Sequence, residues 1–352
     1  MKKKSFFIFL ADGYKGGANT FLSHHMQYLV KKKQNVLLID KDPKETFPKI
    51  NRKIKTFKID TFKEKHKKII ILKKILKSAD KAEKYIVLTN FFIFIKYYWF
   101  FQKLRERKNR IILTIHSGVL AMNIKRLIGS LIFSIIYKNI DYLFFGSNSA
   151  KSWWKNHFPW MNINNSSVYY NGVKIYKKFK PKKIKKNFKI SFVGRLEKEN
   201  NPYFFVKIAL EYLKKNRKVK FNIFGNGSLY KDLKFKYSSR DIIFHGWEEQ
   251  KNIYNTSDLI IITSPINNFP YVALEAKSFG IPVISCSKGD IKKIISNGKD
   301  GYVKYTSSEA VIINLINKIK KNYKNFSNNS LKTSKNFEIN ESCRVFWRSI
   351  NA

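Results

Sequence analysis

Residues 264–285 read SPINNFPYVALEAKSFGIPVIS, and this stretch decides the fold. The apolar run that precedes it, Leu259–Thr263, predicts a buried strand, and a loop with two prolines follows. Helix-forming residues favour a helix over Tyr271–Gly280, and Gly-Ile-Pro-Val then ends the helix and begins a second strand, Pro282–Ser285. A strand, a helix and a strand in this order predict a β-α-β unit of a parallel sheet.

The same alternation runs through the whole chain and predicts an α/β protein with two parallel sheets covered by helices. The other expected strands are Ser5–Ala11, Asn35–Asp40, Tyr85–Thr89, Arg110–His116, Ile140–Gly146, Val168–Tyr170, Phe188–Gly194, Val219–Gly225 and Ile242–His245. The other expected helices are Ala18–Lys33, Phe91–Lys108, Asn148–His157 with Ser147 or Asn148 as N-cap, Pro202–Asn216 and Leu229–Tyr237. The tail, Ser307–Ala352, is expected to form two helices that break near Asn328 and Asn329.

A lysine-rich segment marks the boundary between two domains. Residues 174–187 carry eight lysines and a proline with almost no hydrophobic period, which favours a solvated linker. We therefore expect one Rossmann-like domain over residues 1–173 and a second over residues 188–330. Residues 331–352 are expected to form a C-terminal helix that packs back on the first domain.

The composition fits two packed domains with a polyanionic partner. Hydrophobic residues make up 44% of the 352 residues, and 70 Lys and Arg against 24 Asp and Glu give a net charge of +46. Such a charge favours phosphate-bearing lipid or nucleic acid as a partner. Two cysteines without metal-ligand spacing suit a reducing compartment. No apolar run approaches the roughly 20 residues of a membrane-spanning helix, and the run of about six after the N-terminal lysines is interpreted as a strand rather than a signal peptide.

Three N-terminal motifs follow predicted strands. Gly16 and Gly17 precede the first helix, where backbone amides can approach an anion, although a tight turn without a ligand explains them equally well. His116 ends a strand, and a lone histidine of this kind is more often structural than catalytic. Residues 40–42, Asp-Lys-Asp, have the spacing of a metal motif, but they end the second strand of a parallel domain, which favours a solvated loop, and no other cluster supports a metal.

The C-terminal motifs are more specific. Gly194-Arg195-Leu196 follows one strand, Gly225-Asn226-Gly227 the next, and His245-Gly246-Trp247 the one after. Asn267-Asn268-Phe269-Pro270 then leads to Glu275, about one turn into its helix. In order and spacing the chain resembles the family 4 glycosyltransferases, which are retaining enzymes of the GT-B fold, and the resemblance covers essentially its whole length.

The resemblance implies two Rossmann-like domains that face a central cleft, the first on the acceptor side and the second binding a nucleotide sugar. It implies donor contacts from Gly16, Gly17, Arg195, Gly225, Gly227, His245, Asn267, Asn268, Phe269, Pro270, Tyr271, Val272 and Glu275.

The resemblance also implies a role for individual residues. Arg195 would neutralise the charge that develops on the departing diphosphate. Glu275 would bind the ribose hydroxyls, while the amides of the Tyr271–Leu274 turn would face phosphate. The backbone near His245 would hold the base, and His116 would lie beside the transferred sugar as a catalytic residue.

The chain departs from the family pattern at two positions that normally touch the reacting end of the donor. Asn200 stands where the family has a lysine, and Asn267 stands where it has the first of two glutamates. The missing cation predicts a loss of a few kcal/mol, typical of a single transition-state contact. Lys198, in the same loop as Arg195, is expected to replace the missing lysine in part, although a solvent-facing lysine is nearly as compatible with the sequence.

Two segments mix aromatic or aliphatic residues with basic ones. Phe91–Phe101 continues into basic residues up to Arg110, and residues 125–138 repeat the mixture. They predict either core-facing helices with basic ends or a surface where cations meet anionic headgroups.

These observations predict a cytoplasmic hexosyltransferase that works peripherally on the inner face of the plasma membrane. Its donor would be a nucleotide diphosphate sugar, its acceptor a lipid-linked, lipopolysaccharide or surface-polysaccharide glycan, and it would need no metal or other cofactor. An alternative is a catalytically impaired subunit that binds nucleotide or supports a partner transferase, in keeping with Asn200 and Asn267. Nucleic-acid binding would rest on charge alone, and no recognition motif supports it.

Overall fold

The computed structural model divides the chain into two compact units. Unit 1 comprises Met1–Tyr170 and Ser342–Ala352, and unit 2 comprises Asn171–Glu341. The structure describes residues 5–11, 16–47, 50–58, 83–105, 109–116, 124–164, 166–176, 187–216 and 218–351. Most of the expected linker, including residues 177–186, lies outside this described part.

Unit 1 is built on a parallel sheet. Its described strands are β1 (Phe6–Leu10), β2 (Asn35–Asp40), β3 (Lys55–Lys58), β4 (Lys84–Leu88), β5 (Asn109–Ile115), β6 (Tyr142–Phe145) and β7 (Ser167–Val168). They are ordered β3-β2-β1-β4-β5-β6-β7, so β1 lies between β2 and β4. The strands β1, β2 and β4 are almost continuously apolar because helices cover both faces of a parallel sheet.

The helices of unit 1 connect these strands. Those described are α1 (Gly17–Lys31), α2 (Pro43–Thr46), α3 (Phe91–Lys96), α4 (Tyr98–Arg105), α5 (Ile124–Ile136) and α6 (Asn148–His157). The side chain of Ser147 accepts a hydrogen bond from the amide of Ala150 at 3.0 Å, which confirms the predicted N-cap of α6.

The prediction of one helix over Phe91–Lys108 was wrong. The helix breaks at Tyr97 into α3 and α4, and residues 106–108 lie outside the described part. The break lets aromatic side chains from both pieces enter the core, with the rings of Phe94 and Phe101 stacked at 5.5 Å. Packing of large rings therefore overrides the continuous helical pattern of this segment.

The predicted strand Asn35–Asp40 is confirmed, but the solvent exposure expected of residues 40–42 was wrong for Asp40. Asp40 is the last residue of β2, paired in register with Lys58 of β3, and its side chain is fully buried. Asp42 is exposed and acts as the N-cap of α2, accepting from the amide of Glu45 at 3.1 Å and lying 2.9 Å from Nζ of Lys58. The capping bond gives Asp42 a local structural role.

Unit 2 contains a second parallel sheet. Its described strands are β8 (Phe188–Val193), β9 (Val219–Phe224), β10 (Ile242–Gly246), β11 (Leu259–Ile262), β12 (Val283–Ser285) and β13 (Gly301–Val303), in the order β10-β9-β8-β11-β12-β13. Its described helices are α7 (Pro202–Lys215), α8 (Tyr230–Tyr237), α9 (Gln250–Asn255), α10 (Tyr271–Ser278), α11 (Glu309–Lys321) and α12 (Tyr323–Ser334), followed by α13 (Ile339–Asn351), which continues into unit 1. The predicted α/β class with two parallel sheets is confirmed.

The expected break of the C-terminal tail at Asn328 and Asn329 was wrong. Both residues lie inside α12, and the breaks fall at Asn322 and at the turn 335–338. The side chain of Asn329 donates to the carbonyl oxygen of Lys299 at 3.0 Å, so it does not compete for the backbone of its own helix.

Candidate active site

The most structured candidate site lies at the carboxyl edge of the unit 2 sheet. The strand order reverses at β8, which pairs with β9 on one side and β11 on the other, and ligands of parallel sheets bind at such a switch point. The loops after β8 and β11 meet here, because Oγ1 of Thr263 donates to the carbonyl oxygen of Asn200 at 2.9 Å. Arg195 and the N-terminus of α10 thus belong to one edge of one sheet.

Glycines allow the loops after β8 and β9 to pack backbone against backbone. A Cβ atom on Gly225 would overlap the carbonyl oxygen of Gly194, and one on Gly227 would press into the backbone of Leu196. Leu196 and Asn226 are also joined by a backbone hydrogen bond of 2.9 Å. Both glycines predicted to contact the donor therefore have a structural reason in the loop that carries Arg195.

Arg195 is exposed and bound to a neighbouring carboxylate. Its Nη2 atom lies 2.8 Å from Oε1 of Glu199, with 60% of its side chain exposed. Asn200, which stands where a lysine was expected, donates from Nδ2 to the carbonyl oxygen of Arg195 at 2.8 Å. The asparagine therefore holds the backbone of the arginine instead of supplying a second cation.

Lys198 lies in the 3-10 turn Lys198–Asn200, with its side chain exposed. The turn is anchored next to it, because Glu197 accepts from the amide and from the hydroxyl of Ser228 at 2.8 and 2.5 Å. These two bonds lower the pKa of Glu197. Lys198 therefore lies on a turn that is anchored to Ser228. It stands two residues before Asn200, whose side chain bonds the backbone of Arg195.

The N-terminus of α10 presents backbone amides without a side-chain cap. Pro270 is the N-cap residue, and Tyr271 and Val272 are the first two helical residues. Phe269 is buried and packs on Phe337 with ring centroids 5.8 Å apart, which fixes the approach to the helix. Backbone amides at a helix N-terminus bind anions such as phosphate.

The loop before α10 is tied to the loop after β12. The amide of Asn267 donates to the carbonyl oxygen of Lys288 at 2.9 Å, and its side-chain amide donates to Oγ of Ser264. A Cβ atom on Gly289 would overlap the carbonyl oxygen of Asn267. Asn267 and the half-buried Asn268 thus lie in a braced loop that leads to Pro270.

Glu275 lies one turn into α10 and is bound by a tyrosine from α9. The hydroxyl of Tyr254 donates to Oε2 of Glu275 at 2.7 Å, and Gln250 contributes a second hydrogen bond. Burial raises the pKa of Glu275, while the bonds from Tyr254 and Gln250 lower it. Burial and the adjacent carboxylate raise the pKa of Tyr254 well above its usual value.

A buried ion pair, Lys277 with Asp300, anchors α10 to the rest of unit 2, and the sequence analysis did not predict it. Nζ of Lys277 lies 2.9 Å from Oδ2 of Asp300, and both side chains are fully buried. Lys277 also donates to the carbonyl oxygen of Ile294, and Asp300 accepts from Oγ1 of Thr333 at 2.7 Å and from the amide of Ser296 at 2.8 Å. The pair therefore connects α10 with α12 and the segment before β13.

His245, expected near the base, is held at the end of β10. Its ring stacks on Phe224 with centroids 4.4 Å apart, and Nε2 lies 2.9 Å from Oδ1 of Asn222. Partial burial lowers the pKa of His245. Trp247, two residues on, is exposed.

Unit 1 carries the other predicted site residues, Gly16, Gly17 and His116. Gly16 is the N-cap of α1 without a side-chain cap, and a Cβ atom there would meet nothing within 4 Å. Gly17 is the first residue of the helix, and residues 12–15 before them lie outside the described part. Within the described part of the chain, nothing crowds Gly16 at the N-terminus of α1.

His116 is a neutral, oriented side chain at the end of β5. Its Nε2 atom lies 3.1 Å from Oγ1 of Thr114, which in turn donates to the carbonyl oxygen of Leu88 at 3.3 Å. Burial lowers the pKa of His116 to about 4, so the ring is uncharged at neutral pH. Phe21 lies against it with ring centroids 4.9 Å apart.

Two further histidines of unit 1, His24 and His25, lie on α1. His25 is fully buried, and its Nε2 atom lies 3.0 Å from the hydroxyl of Tyr169. Burial, with smaller contributions from His24 and His116, lowers the pKa of His25 well below its usual value, and burial lowers that of His24 to about 4. Their adjacency in the sequence, His24-His25, was the signal by which they could have been identified.

Comparison with known proteins finds a family match within the second unit. Residues 173–337 match the protein family described as Glycosyl transferases group 1. A galactosyltransferase of Escherichia coli that uses UDP-Gal and GlcNAc-diphosphoundecaprenol is 30% identical over 130 residues, covering 34% of this chain and 33% of that protein. A Campylobacter jejuni transferase that adds N-acetylgalactosamine to an undecaprenol-linked glycan is 28% identical over 160 residues, covering 43% and 44%. The matched segments thus span less than half the length of these relatives.

Solved structures match along the whole chain. The Anabaena protein HepE, crystallised with UDP-glucose, superposes with a TM-score of 0.75 at 13% identity, covering 98% of this chain and 99% of that one. Sucrose-phosphate synthase of Thermosynechococcus elongatus gives a TM-score of 0.78 at 14% identity, with 98% of both chains covered. The likeness shows the fold, and the prediction of the GT-B fold with two Rossmann-like domains is confirmed. The family match is confined to residues 173–337.

Proposed function

We propose that this chain, whose residues 173–337 match the glycosyl transferases group 1 family, is a retaining hexosyltransferase of family 4. It moves a sugar from a nucleotide diphosphate sugar to a lipid-linked, lipopolysaccharide or surface-polysaccharide acceptor. The observation that carries the proposal is the switch point of the unit 2 sheet, where the Arg195 loop, the uncapped N-terminus of α10 and Glu275 share one edge.

Unit 2 binds two parts of the donor, the diphosphate and the ribose. The amides of Tyr271 and Val272 face the diphosphate, and the carboxylate of Glu275 accepts from the ribose hydroxyls. Tyr254 and Gln250 bind Glu275 and so fix the direction of its remaining acceptor positions. A uridine nucleotide is the first to test, because HepE was crystallised with UDP-glucose and the E. coli relative uses UDP-Gal.

Charge on the leaving diphosphate is neutralised by Arg195, with Lys198 as a second cation, in place of a metal ion. Arg195 reaches the phosphates once it leaves Glu199, and its exposed position leaves it free to turn. In unit 1, Gly16 and Gly17 offer backbone amides, and the neutral ring of His116 hydrogen-bonds to the sugar or to the acceptor hydroxyl.

Two of the relatives and the net charge support the proposed acceptor class. Both curated relatives act on undecaprenol-linked substrates, and a net charge of +46 favours work at an anionic membrane surface. The chain would then act on the cytoplasmic side of the plasma membrane as a peripheral protein.

Glu275→Ala tests the donor site. Titration calorimetry with UDP should show affinity reduced roughly ten-fold or more, since hydrogen bonds to a charged group contribute about 1.5–3 kcal/mol each. Glu309→Ala, in the first turn of α11 of the same unit, is the matched control and should bind like the wild type. Unchanged affinity in a folded Glu275→Ala protein would remove α10 from the nucleotide site.

The second candidate is an impaired subunit that binds nucleotide without turnover. Asn200 and Asn267 favour it, because both side chains are engaged in bracing their own loops. Transfer and hydrolysis assays with a panel of UDP-sugars separate the two, since the impaired subunit would bind UDP and turn over none of them.

A further inference from the structure

Helix α5 of unit 1 distributes its side chains in the reverse of the usual order. Its exposed face consists of large aliphatic side chains that are each 40% to 65% exposed, namely Leu127, Ile128, Leu131, Ile132 and Ile135. Its buried face consists of smaller, polar or aromatic residues, namely Gly129, Ser130, Phe133, Ser134 and the following Tyr137. A helix on the surface of a water-soluble domain normally buries its aliphatic side.

The buried face is fixed by specific packing, so the helix cannot roll to hide its aliphatic side. A Cβ atom on Gly129 would overlap the ring of Phe92, which shows that α5 lies directly on α3. Nε1 of Trp160 donates to Oγ of Ser134 at 3.0 Å, and Oγ of Ser134 donates to the carbonyl oxygen of Leu131 at 2.6 Å. Small residues toward the protein and aliphatic residues outward is the arrangement of helices that face lipid.

The α5 face, defined as the five exposed aliphatic side chains, is large enough to act as a binding surface. Together they expose on the order of 500 Å² of apolar area, in the range of patches that mark interaction sites. A helix of 13 residues is about 20 Å long, which is less than the thickness of a bilayer core. No helix in the described part of the chain is long and apolar enough to cross a membrane. The face therefore suits contact in the plane of a surface.

The charge around α5 indicates which kind of partner binds the α5 face. Residues 91–170, which surround α5 in the chain, contain eleven Lys and Arg against two Asp and Glu. One of those acids, Asp141, lies beneath Arg105 and Arg110 at 3.4 and 3.6 Å, with its side chain 7% exposed. A second copy of the chain would bring like charges together, whereas anionic headgroups meet them favourably. The exposed ring of Trp160 beside α5 is also of the type that enters the boundary of a bilayer.

We propose that the α5 face inserts in-plane into an anionic lipid surface and is the membrane-docking element of the protein. The inference rests on the proposed function, since it places a lipid-linked acceptor next to the enzyme. β5 ends at Ile115 and α5 begins at Ile124, so the N-terminus of α5 lies at the same edge of the unit 1 sheet as His116. The Phe91–Phe101 segment is excluded from the docking surface apart from Trp99, because its apolar rings face the core.

Vesicle sedimentation tests the surface. The wild type should partition onto vesicles of equal parts phosphatidylglycerol and phosphatidylcholine, and not onto pure phosphatidylcholine. Ile128→Ser with Ile135→Ser should reduce partitioning roughly ten-fold or more, because each removes an aliphatic side chain from the lipid contact. Leu210→Ser, at an aliphatic residue of α7 with 43% exposure, is the matched control and should bind like the wild type.

A label reports insertion directly. Both native cysteines are buried, so a polarity-sensitive dye can be attached to the single exposed cysteine of Ile135→Cys or of the control Leu210→Cys. Blue-shifted emission at position 135 with anionic vesicles, and no shift at position 210, is the expected result. An unshifted dye at position 135, or equal binding of the double serine variant and the wild type, would overturn the proposal. So would a wild-type dimer that the double variant converts to a monomer, because a second copy would then occupy the face.

Nucleotide binding keeps this test separate from the proposed function. UDP affinity measured by calorimetry should be equal in the wild type and the double serine variant. If the double serine variant loses vesicle binding but keeps its UDP affinity, the effect is confined to α5. If the wild type binds vesicles but no UDP-sugar, the proposed enzymatic function is contradicted and the docking surface is still supported.

Discussion

The hydroxyl of Tyr254 lies 2.7 Å from Oε2 of Glu275, a residue 21 positions later in the chain, and the bond joins α9 to α10. The bond stabilises the ionised carboxylate, since it lowers a pKa that burial raises. If Glu275 accepts two ribose hydroxyls as proposed, Tyr254 is a positioning residue that keeps its carboxylate charged.

Tyr254→Phe should weaken UDP binding about five-fold, as expected for the loss of about 1 kcal/mol from one hydrogen bond. The pKa of Glu275 should rise further, so binding should be lost at a higher pH than in the wild type as the solution is acidified. Calorimetry across a pH series measures both effects. Tyr203→Phe, whose hydroxyl contacts Asp232 at 3.3 Å on the surface, is the control. An unmoved pH profile in Tyr254→Phe would contradict the positioning role.

Glu199→Gln should increase the affinity for UDP-sugar by a few-fold. Arg195 is paired with Glu199 at 2.8 Å, and an exposed pair of this kind is worth about 0–1 kcal/mol. If Arg195 binds the diphosphate as proposed, it must leave this pair. The matched control is Glu211→Gln, which removes the exposed 2.7 Å pair with Lys214 on α7. If Glu199→Gln and Glu211→Gln bind UDP-sugar with equal affinity, Glu199 does not compete with the diphosphate for Arg195.

Lys198→Ala should lower kcat about 100-fold, in the range for loss of one charge-stabilising donor. The lysine is exposed on the turn that follows Arg195, where a flexible side chain can reach the diphosphate. Lys207→Ala, an exposed lysine on α7, should leave turnover unchanged. If Lys198→Ala is as active as this control while Arg195→Ala is inactive, Arg195 acts alone.

The strands and loops of the C-terminal unit could be predicted because each signal is local. A continuous apolar run marks β11, largely apolar runs mark β8 and β9, and Gly225, Gly227 and Pro270 stand where a turn or a helix start needs them. By contrast, β3 is exposed along its whole length and β13 has three residues, so neither carries an apolar signal. Such strands form through pairing with a neighbour, which a single sequence does not reveal.

Tertiary partners explain what the sequence could not show at the site. Tyr254 with Glu275 and Lys277 with Asp300 are pairs of distant residues of ordinary type, and nothing local distinguishes them. The orientation of α5 was hidden for another reason. Its aliphatic residues repeat with helical spacing, which fits either a core-facing helix or a surface that meets headgroups, and only the packing of Gly129 and its neighbours against the protein distinguishes the two.

Lys277→Ala should destabilise unit 2 by about 3–5 kcal/mol, the cost of leaving one member of a buried ion pair without its partner. Asp300 would remain buried with only its bonds from Thr333 and Ser296. Lys220→Ala, which removes the partly exposed 2.6 Å pair with Asp241, should cost about 0–1 kcal/mol. Denaturant unfolding compares the two, and equal costs would mean that the buried pair does not support α10.

The histidines of unit 1 should make its stability fall as the solution is acidified from pH 6.5 toward pH 4. The pKa values of His24 and His116 are lowered from 6.5 to about 4, and that of His25 lies well below 6.5, so the unfolded chain binds protons that the folded unit excludes. Their contribution is complete above pH 6.5, and each histidine removes about 1.4 kcal/mol of stability per pH unit below it. His24→Gln should reduce this slope by about one such increment, whereas His157→Gln, at an exposed position on α6, should leave it unchanged. Chemical unfolding at a series of pH values measures the slope. Equal slopes in the wild type and His24→Gln would show that His24 gains its proton as readily in the folded unit as in the unfolded chain.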